Sequence, residues 1–111
     1  MIKKKKIVTL IINEQHTIFP EQRELLEKRF GEYETMLVPA SGWDLAKIEF
    51  LIDELPKENE LIFASPIPAM MKLASEKGVK WFVFHNDKRE KQETEAGKVF
   101  LRISPTGWQL V

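Results

Sequence analysis

The chain has 111 residues, of which 43% are hydrophobic and 31% charged, a composition typical of one globular domain. Its 17 basic and 17 acidic residues cancel, so it lacks the basic excess by which duplex-DNA binders are recognised. The lack of cysteine excludes disulfides, thiolate zinc sites and a cysteine nucleophile. We therefore expect a single domain over residues 1–111 that does not bind duplex DNA.

The N-terminus superficially resembles a signal peptide, because lysines at positions 3–6 precede the apolar run 7–12. That run is too short, polar residues 13–16 follow it directly, and no small-residue cleavage site is present. No stretch is long enough to span a membrane. These features predict a cytoplasmic protein without a membrane partner, whose lysines form a solvated lead-in to a buried strand.

Hydrophobic patterning predicts four strands that alternate with three helices. The strands are expected at residues 7–12, 33–38, 61–64 and 80–84, and the helices at 21–30, 43–55 and 69–77. Two further strands, 98–103 and 108–111, are expected to form a hairpin around the turn Ser104-Pro105-Thr106-Gly107. The charged stretch 87–97 before them is the best candidate for a mobile loop.

This alternation predicts the α/β fold class with a compact Rossmann-like architecture. Connections of this length imply right-handed crossovers, and therefore a four-stranded parallel sheet with helices on both faces. The second strand is less apolar than the others, which favours an edge position and the strand order 2-1-3-4. The C-terminal β-hairpin is expected at the far edge.

Ligands of open parallel sheets bind outside the carboxyl ends of the strands. The loops at that end are predicted at residues 13–17, 39–42, 65–68 and 85–89. They contain both histidines of the chain and the candidate ligand-binding residues, which together are Asn13, His16, Thr17, Ser41, Ser65, Pro66, His85, Asn86 and Asp87. Polar residues also cap helices and fill turns without any ligand, but the position of these loops favours a site here.

The sequence His85-Asn86-Asp87-Lys88-Arg89 directly follows the apolar fourth strand. A histidine transfers protons near neutral pH, and Lys88 and Arg89 can neutralise the charge of a phosphate. The alternative is a solvated turn, since residues 88–95 carry charges of both signs.

Three further side chains leave two interpretations open. Ser65 can present its hydroxyl or its amide to a phosphate, but residues in this position are more often helix N-caps, and we expect a cap. Ser41 offers the same choice, with Ser41 or Asp44 as the cap of the second helix. His16 precedes the first helix, whose N-terminus attracts anions, although a lone loop histidine is often merely exposed.

Several well-known motifs are absent. Neither G-x-G-x-x-G nor G-x-x-x-x-G-K-[ST] occurs, so dinucleotide and ATP binding have no support. The two histidines are far apart and no carboxylate pattern accompanies them, so we expect no metal site and no cofactor. A hydrolase triad of Ser65, His85 and Asp87 lacks the G-x-S-x-G elbow and is disfavoured.

The chain also resembles a known family over nearly its whole length, as a pattern of elements. The matching features are the His16 loop with Thr17 and Gln22, Val38-Pro39 before Trp43, the Ser65-Pro66 loop, Gly78-Val79 before the fourth strand, and the Lys88-Arg89 pair after it. This pattern is similar to that of the small standalone CRISPR-associated ring nucleases, compact relatives of the CARF sensor domains that bind cyclic oligoadenylate.

The resemblance implies a CARF-like homodimer that binds cyclic tetra-adenylate across its two-fold axis and cleaves it without a metal. A ribose 2′-hydroxyl would attack the adjacent phosphate, and the reaction would switch off type III CRISPR signalling. The implied catalytic residues are His85, Lys88, Arg89 and His16, and those implied to hold ribose and phosphate oxygens are Asn13, Ser65 and Asn86.

Three alternatives stay open beside a ring nuclease. The chain can bind the ring without cutting it, as a sponge or a sensor. It can be a non-enzymatic interaction module that dimerises through Trp81, Trp108 and the terminal hairpin, or an enzyme that uses Ser65 and His85 on another phosphate ester. A ligand site predicts loops whose polar groups converge, whereas an interaction module predicts an exposed apolar patch elsewhere.

Overall fold

The computed structural model describes residues 7–111, without the side chains of residues 92 and 100–102, so the predicted lysine lead-in at 3–6 lies outside it. The described elements are, in order, β1 (Val8–Asn13), α1 (Pro20–Phe30), β2 (Glu34–Val38), α2 (Leu45–Glu54), β3 (Glu60–Phe63), α3 (Pro68–Lys77), β4 (Lys80–His85), β5 (Arg89–Glu93), β6 (Val99–Ile103) and β7 (Gln109–Leu110). The predicted alternation of strands and helices up to β4 is confirmed.

The main sheet has five strands in the order β2-β1-β3-β4-β7 and is mixed. β1 pairs in parallel with β2 and with β3, and β3 pairs in parallel with β4, whereas β7 runs antiparallel to β4. The predicted order 2-1-3-4 and the edge position of β2 are confirmed, and the fold class is α/β. The register places Ile11 of β1 beside Met36 of β2 and Phe63 of β3.

The predicted C-terminal hairpin is wrong, because residues 99–103 pair with β5 instead of with the final strand. β5 and β6 form a separate two-stranded antiparallel sheet, in which Arg89 lies opposite Ile103 and Glu93 opposite Val99. We call β5, β6 and the turn between them the arm. The segment Arg89-Glu90-Lys91-Gln92-Glu93 contains no apolar residue, which is why hydrophobic patterning suggested a mobile loop there.

Two buried apolar layers hold the helices on opposite faces of the main sheet. On one face, Ile48 and Ile52 of α2 and Met70 of α3 pack against residues of β1 and β3. On the other face, Leu26 of α1 packs against β1, β3 and β4, where Phe84 belongs to the same cluster. The removal of these side chains from water is the main favourable contribution to folding. The chain therefore leaves β1 toward one face and β3 toward the other.

Local signals set the ends of the helices. α1 and α3 begin with Pro20 and Pro68, whose fixed φ suits the first helical position, and α3 ends at Gly78 in the left-handed conformation. α2 is capped by Asp44, which accepts a hydrogen bond from the Lys47 amide at 2.8 Å. Of the two predicted caps for this helix, Asp44 is therefore the correct one. Within residues 7–111, no helix is both long and apolar enough to cross a bilayer.

Candidate functional site

The main sheet has a topological switch point between β1 and β3, because the chain leaves these two strands toward opposite faces. In open α/β sheets, ligands bind in the crevice that such a point creates outside the carboxyl ends of the strands. Asn13 ends β1 and Ser65 follows β3, so two sequence-predicted residues lie at this crevice. The Asn13 amide N–H donates to Ser65 Oγ at 2.9 Å, which brings them into direct contact.

Ser65 does not cap α3, contrary to the expectation from sequence. Its hydroxyl oxygen accepts from Asn13, and the N-cap of α3 is Ile67, which supplies no side-chain hydrogen bond. A hydroxyl that accepts one hydrogen bond still has its own proton to donate. Pro68 has no N–H, so the amides that follow it in the first turn are the donors that α3 offers to an anion at this edge.

Hydrogen bonds join the loops that follow β1 and β2. Asn13 Oδ1 accepts from the Gln15 amide at 2.9 Å, and Asn13 Nδ2 donates to the Pro39 carbonyl at 3.4 Å. Glu14 Oε1 accepts from the Ala40 amide at 2.9 Å, a contact that sequence reasoning missed because an exposed loop glutamate carries no signal of its partner. The Asn13 side chain therefore shapes the rim of the crevice.

The remaining predicted residues of the first three loops lie on the surface. His16, Thr17, Ser41 and Pro66 are all exposed. The His16 amide donates to the Asn13 carbonyl at 2.9 Å, so its backbone is held while its side chain remains open to solvent. Exposure at the carboxyl edge leaves these four side chains accessible to a ligand.

His85 is the last residue of β4 and is exposed at the same edge. β3 and β4 are parallel neighbours in which Phe63 pairs with Val83, so His85 stands at the level of Ser65, two residues farther along. Neighbouring strands lie about 4.8 Å apart. Asn13, Ser65 and His85 therefore form a row across three adjacent strand ends, which we call the edge row.

Asn86 is 5% exposed and clamps the two ends of the arm together. Its Nδ2 donates to the carbonyls of Ser104 at 3.0 Å and of Thr106 at 2.8 Å, and its Oδ1 accepts from the Lys88 amide at 2.8 Å. Both amide protons are thereby engaged within the chain. The side chain that was predicted to hold a ligand instead fixes the base of the arm.

Lys88 and Arg89, a single basic pair in the sequence, have different surroundings in the structure. Arg89 Nη1 donates to the carbonyls of Asn86 at 2.6 Å and of Lys88 at 2.9 Å, so the guanidinium is folded back onto the base of the arm. The alkyl chain of Lys88 lies against Gly107, where an added β-carbon would come within 2.6 Å of Lys88 Cδ. Arg89 therefore supports the loop, while the exposed Lys88 carries the charge that a ligand can reach.

The described contacts assemble neither a hydrolase triad nor a metal site. Asp87 is exposed, and the hydrogen bonds found among the described residues do not join Asp87 to His85 or His85 to Ser65. In the part of the chain that the structure describes, no group of three His, Asp or Glu side chains could hold a metal ion. The edge row itself consists of an amide, a hydroxyl and an imidazole side chain, all of which form hydrogen bonds.

Two sizeable concavities lie at the opposite, amino edge of the main sheet. One of about 520 Å³ is lined by residues that include Gly31 and Tyr33, and a neighbour of about 720 Å³ includes Arg29, Glu60 and Lys80. The charged residues of the first lining are all acidic, the second lining mixes acidic and basic side chains, and neither contains a histidine. The sequence-predicted site residues line neither of them.

The tryptophans pack within the chain. Trp81 Nε1 donates to Ser75 Oγ at 2.7 Å, and the Trp108 ring stacks on Phe19 with centroids 5.8 Å apart. Both indoles are half-buried, so neither forms the exposed apolar patch that an interaction module built on tryptophan would need.

Comparisons with known protein families, with curated proteins and with solved structures find no match to this chain.

Proposed function

We propose that this chain is a Rossmann-like domain that binds cyclic oligoadenylate, in particular cyclic tetra-adenylate, at the carboxyl edge of its sheet and cleaves it without a metal. The observation that carries the proposal is the contact between Asn13 and Ser65 at the switch point of β1 and β3. It leaves the Ser65 hydroxyl proton available beside an α3 N-terminus that has no side-chain cap. Hydroxyl and helix-terminal amides are both donors suited to phosphate oxygens.

The proposed reaction is an in-line attack of a ribose 2′-hydroxyl on the adjacent phosphorus. A bond forms between the 2′-oxygen and phosphorus, the bond from phosphorus to the 5′-oxygen breaks, and a 2′,3′-cyclic phosphate remains. The 2′-hydroxyl gives up a proton and the leaving 5′-oxygen gains one. Such a reaction needs alignment of the two groups and stabilisation of the extra negative charge on the phosphate.

The residues of the edge row and its neighbours suit these demands. The Ser65 hydroxyl and the first free amides of α3 would hold a phosphate oxygen. His85 stands at the same level of the sheet and would transfer a proton. The exposed Lys88 ammonium would stabilise the developing charge, and Arg89 would act through the loop that it supports. His16 and the other exposed residues of the neighbouring loops would contact the remaining nucleotides.

A second candidate function is binding without cleavage, as a sponge or a sensor of the same ring. One observation favours it: among the described contacts, no carboxylate accepts a hydrogen bond from His85. Catalytic histidines are commonly oriented by such a partner. Cleavage and sponge-like binding would both dampen type III CRISPR signalling, because both remove free ring.

The test is incubation of the purified protein with cyclic tetra-adenylate in the presence of EDTA, followed by chromatography and mass spectrometry. The expected products are linear and end in a cyclic phosphate, and calorimetry with the same ligand measures its affinity. Linear tetra-adenylate is the control, because it has the same bases without the closed ring. Tight binding without turnover supports the sponge or sensor, and the lack of both binding and cleavage contradicts the proposal.

A glycine substitution tests the position of Lys88. Gly107 and Gly78 both have positive φ, +86° and +87°, so alanine at either is expected to cost about 1–2 kcal/mol in the free energy of unfolding. Only at Gly107 of these two would the new β-carbon meet a side chain, since nothing lies within 4 Å of the corresponding point at Gly78, which ends α3 away from the candidate site. We therefore expect Gly107→Ala to slow cleavage by displacing Lys88, while Gly78→Ala leaves the rate unchanged. Urea unfolding and single-turnover cleavage measure the two effects, and equal cleavage rates would argue against the assigned position.

A further inference from the structure

The indole N–H of Trp108 is a buried donor that has no acceptor within bonding distance among the described residues. The other fully buried side-chain nitrogens and oxygens of the described residues all have partners. A buried donor without a hydrogen bond has lost its bonds to water and gained none in return, which raises the free energy of the folded state. Such groups are rare in folded proteins, and each requires a physical explanation. An acceptor supplied by a bound molecule would satisfy this one.

Two aromatic rings contact the Trp108 indole. The Phe19 ring stacks on it with centroids 5.8 Å apart, and the Phe84 ring meets it edge to face at 6.2 Å. Phe19 is 37% exposed, so the outer of these two rings faces solvent. The backbone of Phe19 is fixed, because its amide donates to Gln22 Oε1 at 2.8 Å. The Phe19 ring can therefore turn outward and uncover the indole while the backbone of the loop stays in place.

A carboxylate lies close to this unpartnered donor. Glu21 Oε1 accepts from the Trp108 amide at 2.6 Å, so the carboxylate is within one side chain's length of the indole N–H. A carboxylate that accepts one hydrogen bond has capacity for several more. An N–H donor beside a carboxylate complements a base that carries an acceptor next to a donor, as adenine does with N7 and its 6-amino group.

We propose that Trp108, Phe19 and Glu21 form a binding site for a nucleobase. The Phe19 ring turns outward to admit the base and packs against its face, as aromatic side chains do with unpaired bases in general. A nitrogen on the edge of the base accepts from Trp108 Nε1, and an amino group beside that nitrogen donates to the Glu21 carboxylate. The three residues would thereby bind the base, a task that the phosphate-binding groups at Ser65 and α3 do not perform.

This site deepens the proposed function, on which the identity of the base as adenine rests. Phe84 directly precedes His85 of the edge row, and Phe19 ends the polar loop that follows β1. Trp108 packs with the cluster on the α1 face of the main sheet, whereas α3 lies on the opposite face. A nucleotide with its phosphate at Ser65 and its base at Trp108 would therefore cross the switch point from one face to the other.

Calorimetric titration with adenosine 5′-monophosphate tests the base site independently of cleavage, and ribose 5-phosphate, which lacks the base, is the control probe. Trp108→Phe keeps an aromatic ring and removes the N–H, so the dissociation constant of adenosine 5′-monophosphate should rise about fivefold. Trp81→Phe is the matched control. Trp81 is also half-buried, but its N–H already donates to Ser75 Oγ at 2.7 Å, so its loss should leave the affinity unchanged. Circular dichroism checks that each variant retains its helices.

A second pair of variants tests the stacking partner. Phe19→Leu keeps an apolar side chain without the ring, and it should raise the dissociation constant about tenfold. Phe50→Leu is the control, because Phe50 is exposed on α2, away from the indole. In Trp43→Phe/Trp81→Phe, Trp108 is the one tryptophan left, since the chain has three. Adenosine 5′-monophosphate should quench its fluorescence, and ribose 5-phosphate should not.

The outcomes separate the base site from the proposed function. Equal affinity of Trp108→Phe and Trp81→Phe for adenosine 5′-monophosphate, or Trp108 emission that this probe does not change at millimolar concentration, would overturn the base site. If the wild type and Trp108→Phe bind and cleave cyclic tetra-adenylate alike, the base site is wrong and the proposed function stands. If the monophosphate quenches Trp108 but the ring is neither bound nor cleaved, only the proposed function is contradicted.

Discussion

Replacement of Lys88 by alanine is expected to lower the single-turnover rate of cyclic tetra-adenylate cleavage by about 100-fold, the usual effect of removing one group that stabilises developing negative charge. Lys88 is exposed three residues after His85, and its alkyl chain is held against Gly107. The affinity for the ring should fall much less than the rate, because Ser65 and the α3 N-terminus remain. Calorimetry and quenched cleavage reactions separate the two quantities.

The matched control is Lys72→Ala, which removes another exposed lysine, from the middle of α3. The Lys72 side chain is 76% exposed and pairs with Glu76, four residues along the same helix, at 3.8 Å. Exposed pairs of this kind contribute little to stability. Lys88→Arg should keep part of the rate, since it keeps the charge. If Lys88→Ala and Lys72→Ala cleave the ring equally fast, the assignment of Lys88 to charge stabilisation is wrong.

Phe63→Ala is expected to lower the free energy of unfolding by about 3–5 kcal/mol, a large part of the total stability of a small domain. Phe63 is fully buried in β3, and its ring meets the edge of Trp81 with centroids 6.1 Å apart. Truncation would remove its contacts and leave a cavity that the flanking strands cannot close. Urea unfolding followed by circular dichroism measures the loss.

Phe50→Ala provides the control, because Phe50 is 56% exposed on α2. We expect a change within about 0.5 kcal/mol for this surface position. Where Phe63→Ala does not fold, Phe63→Leu keeps most of the volume and should cost less than about 1.5 kcal/mol. Similar unfolding midpoints for Phe63→Ala and Phe50→Ala would show that β3 does not lie in the centre of the core.

The order of the first four strands could be predicted because burial is visible in the sequence. Ile11 lies in the uncharged run 7–12 and Phe63 in the uncharged run 61–64, although β3 itself begins one residue earlier, at Glu60; such apolar runs are typical of strands covered by helices on both faces. β2 contains Glu34 and an exposed Leu37, which is the composition of a strand at an edge. The distinction between buried and exposed strands was therefore enough to place them.

The arm could not be predicted in the same way, because hydrophobic patterning detects strands that pack against a core. β5 is polar throughout, and its pairing with β6 is determined by the chain reversal at residues 94–97, where the Thr94 amide donates to the Lys98 carbonyl at 2.8 Å. The prediction that β6 forms a hairpin with the last strand is therefore wrong. β7 lies at the expected far edge of the main sheet without β6, beside β4, with Phe84 opposite Leu110.

The position of the candidate site could be predicted from the sequence. The role of each residue within it was harder to predict. Placement of Asn13, Ser65 and His85 at one edge follows from the rule for parallel sheets. The burial of Asn86 does not, because an asparagine after a strand looks the same in sequence whether it faces solvent or closes a loop. Two of its three hydrogen bonds are made to the carbonyls of Ser104 and Thr106, which are distant along the chain.

The hydrogen bonds of Asn86 make the arm move as a single rigid unit. Both legs of the hairpin are tied at one buried side chain, so they cannot separate at the base while that side chain keeps its bonds to Ser104 and Thr106. A force at the tip would then tilt the hairpin as one body about its base. The base lies beside Lys88, whose amide is bonded to the same side chain. Any displacement of the arm would therefore be passed on to the backbone of Lys88, three residues after His85.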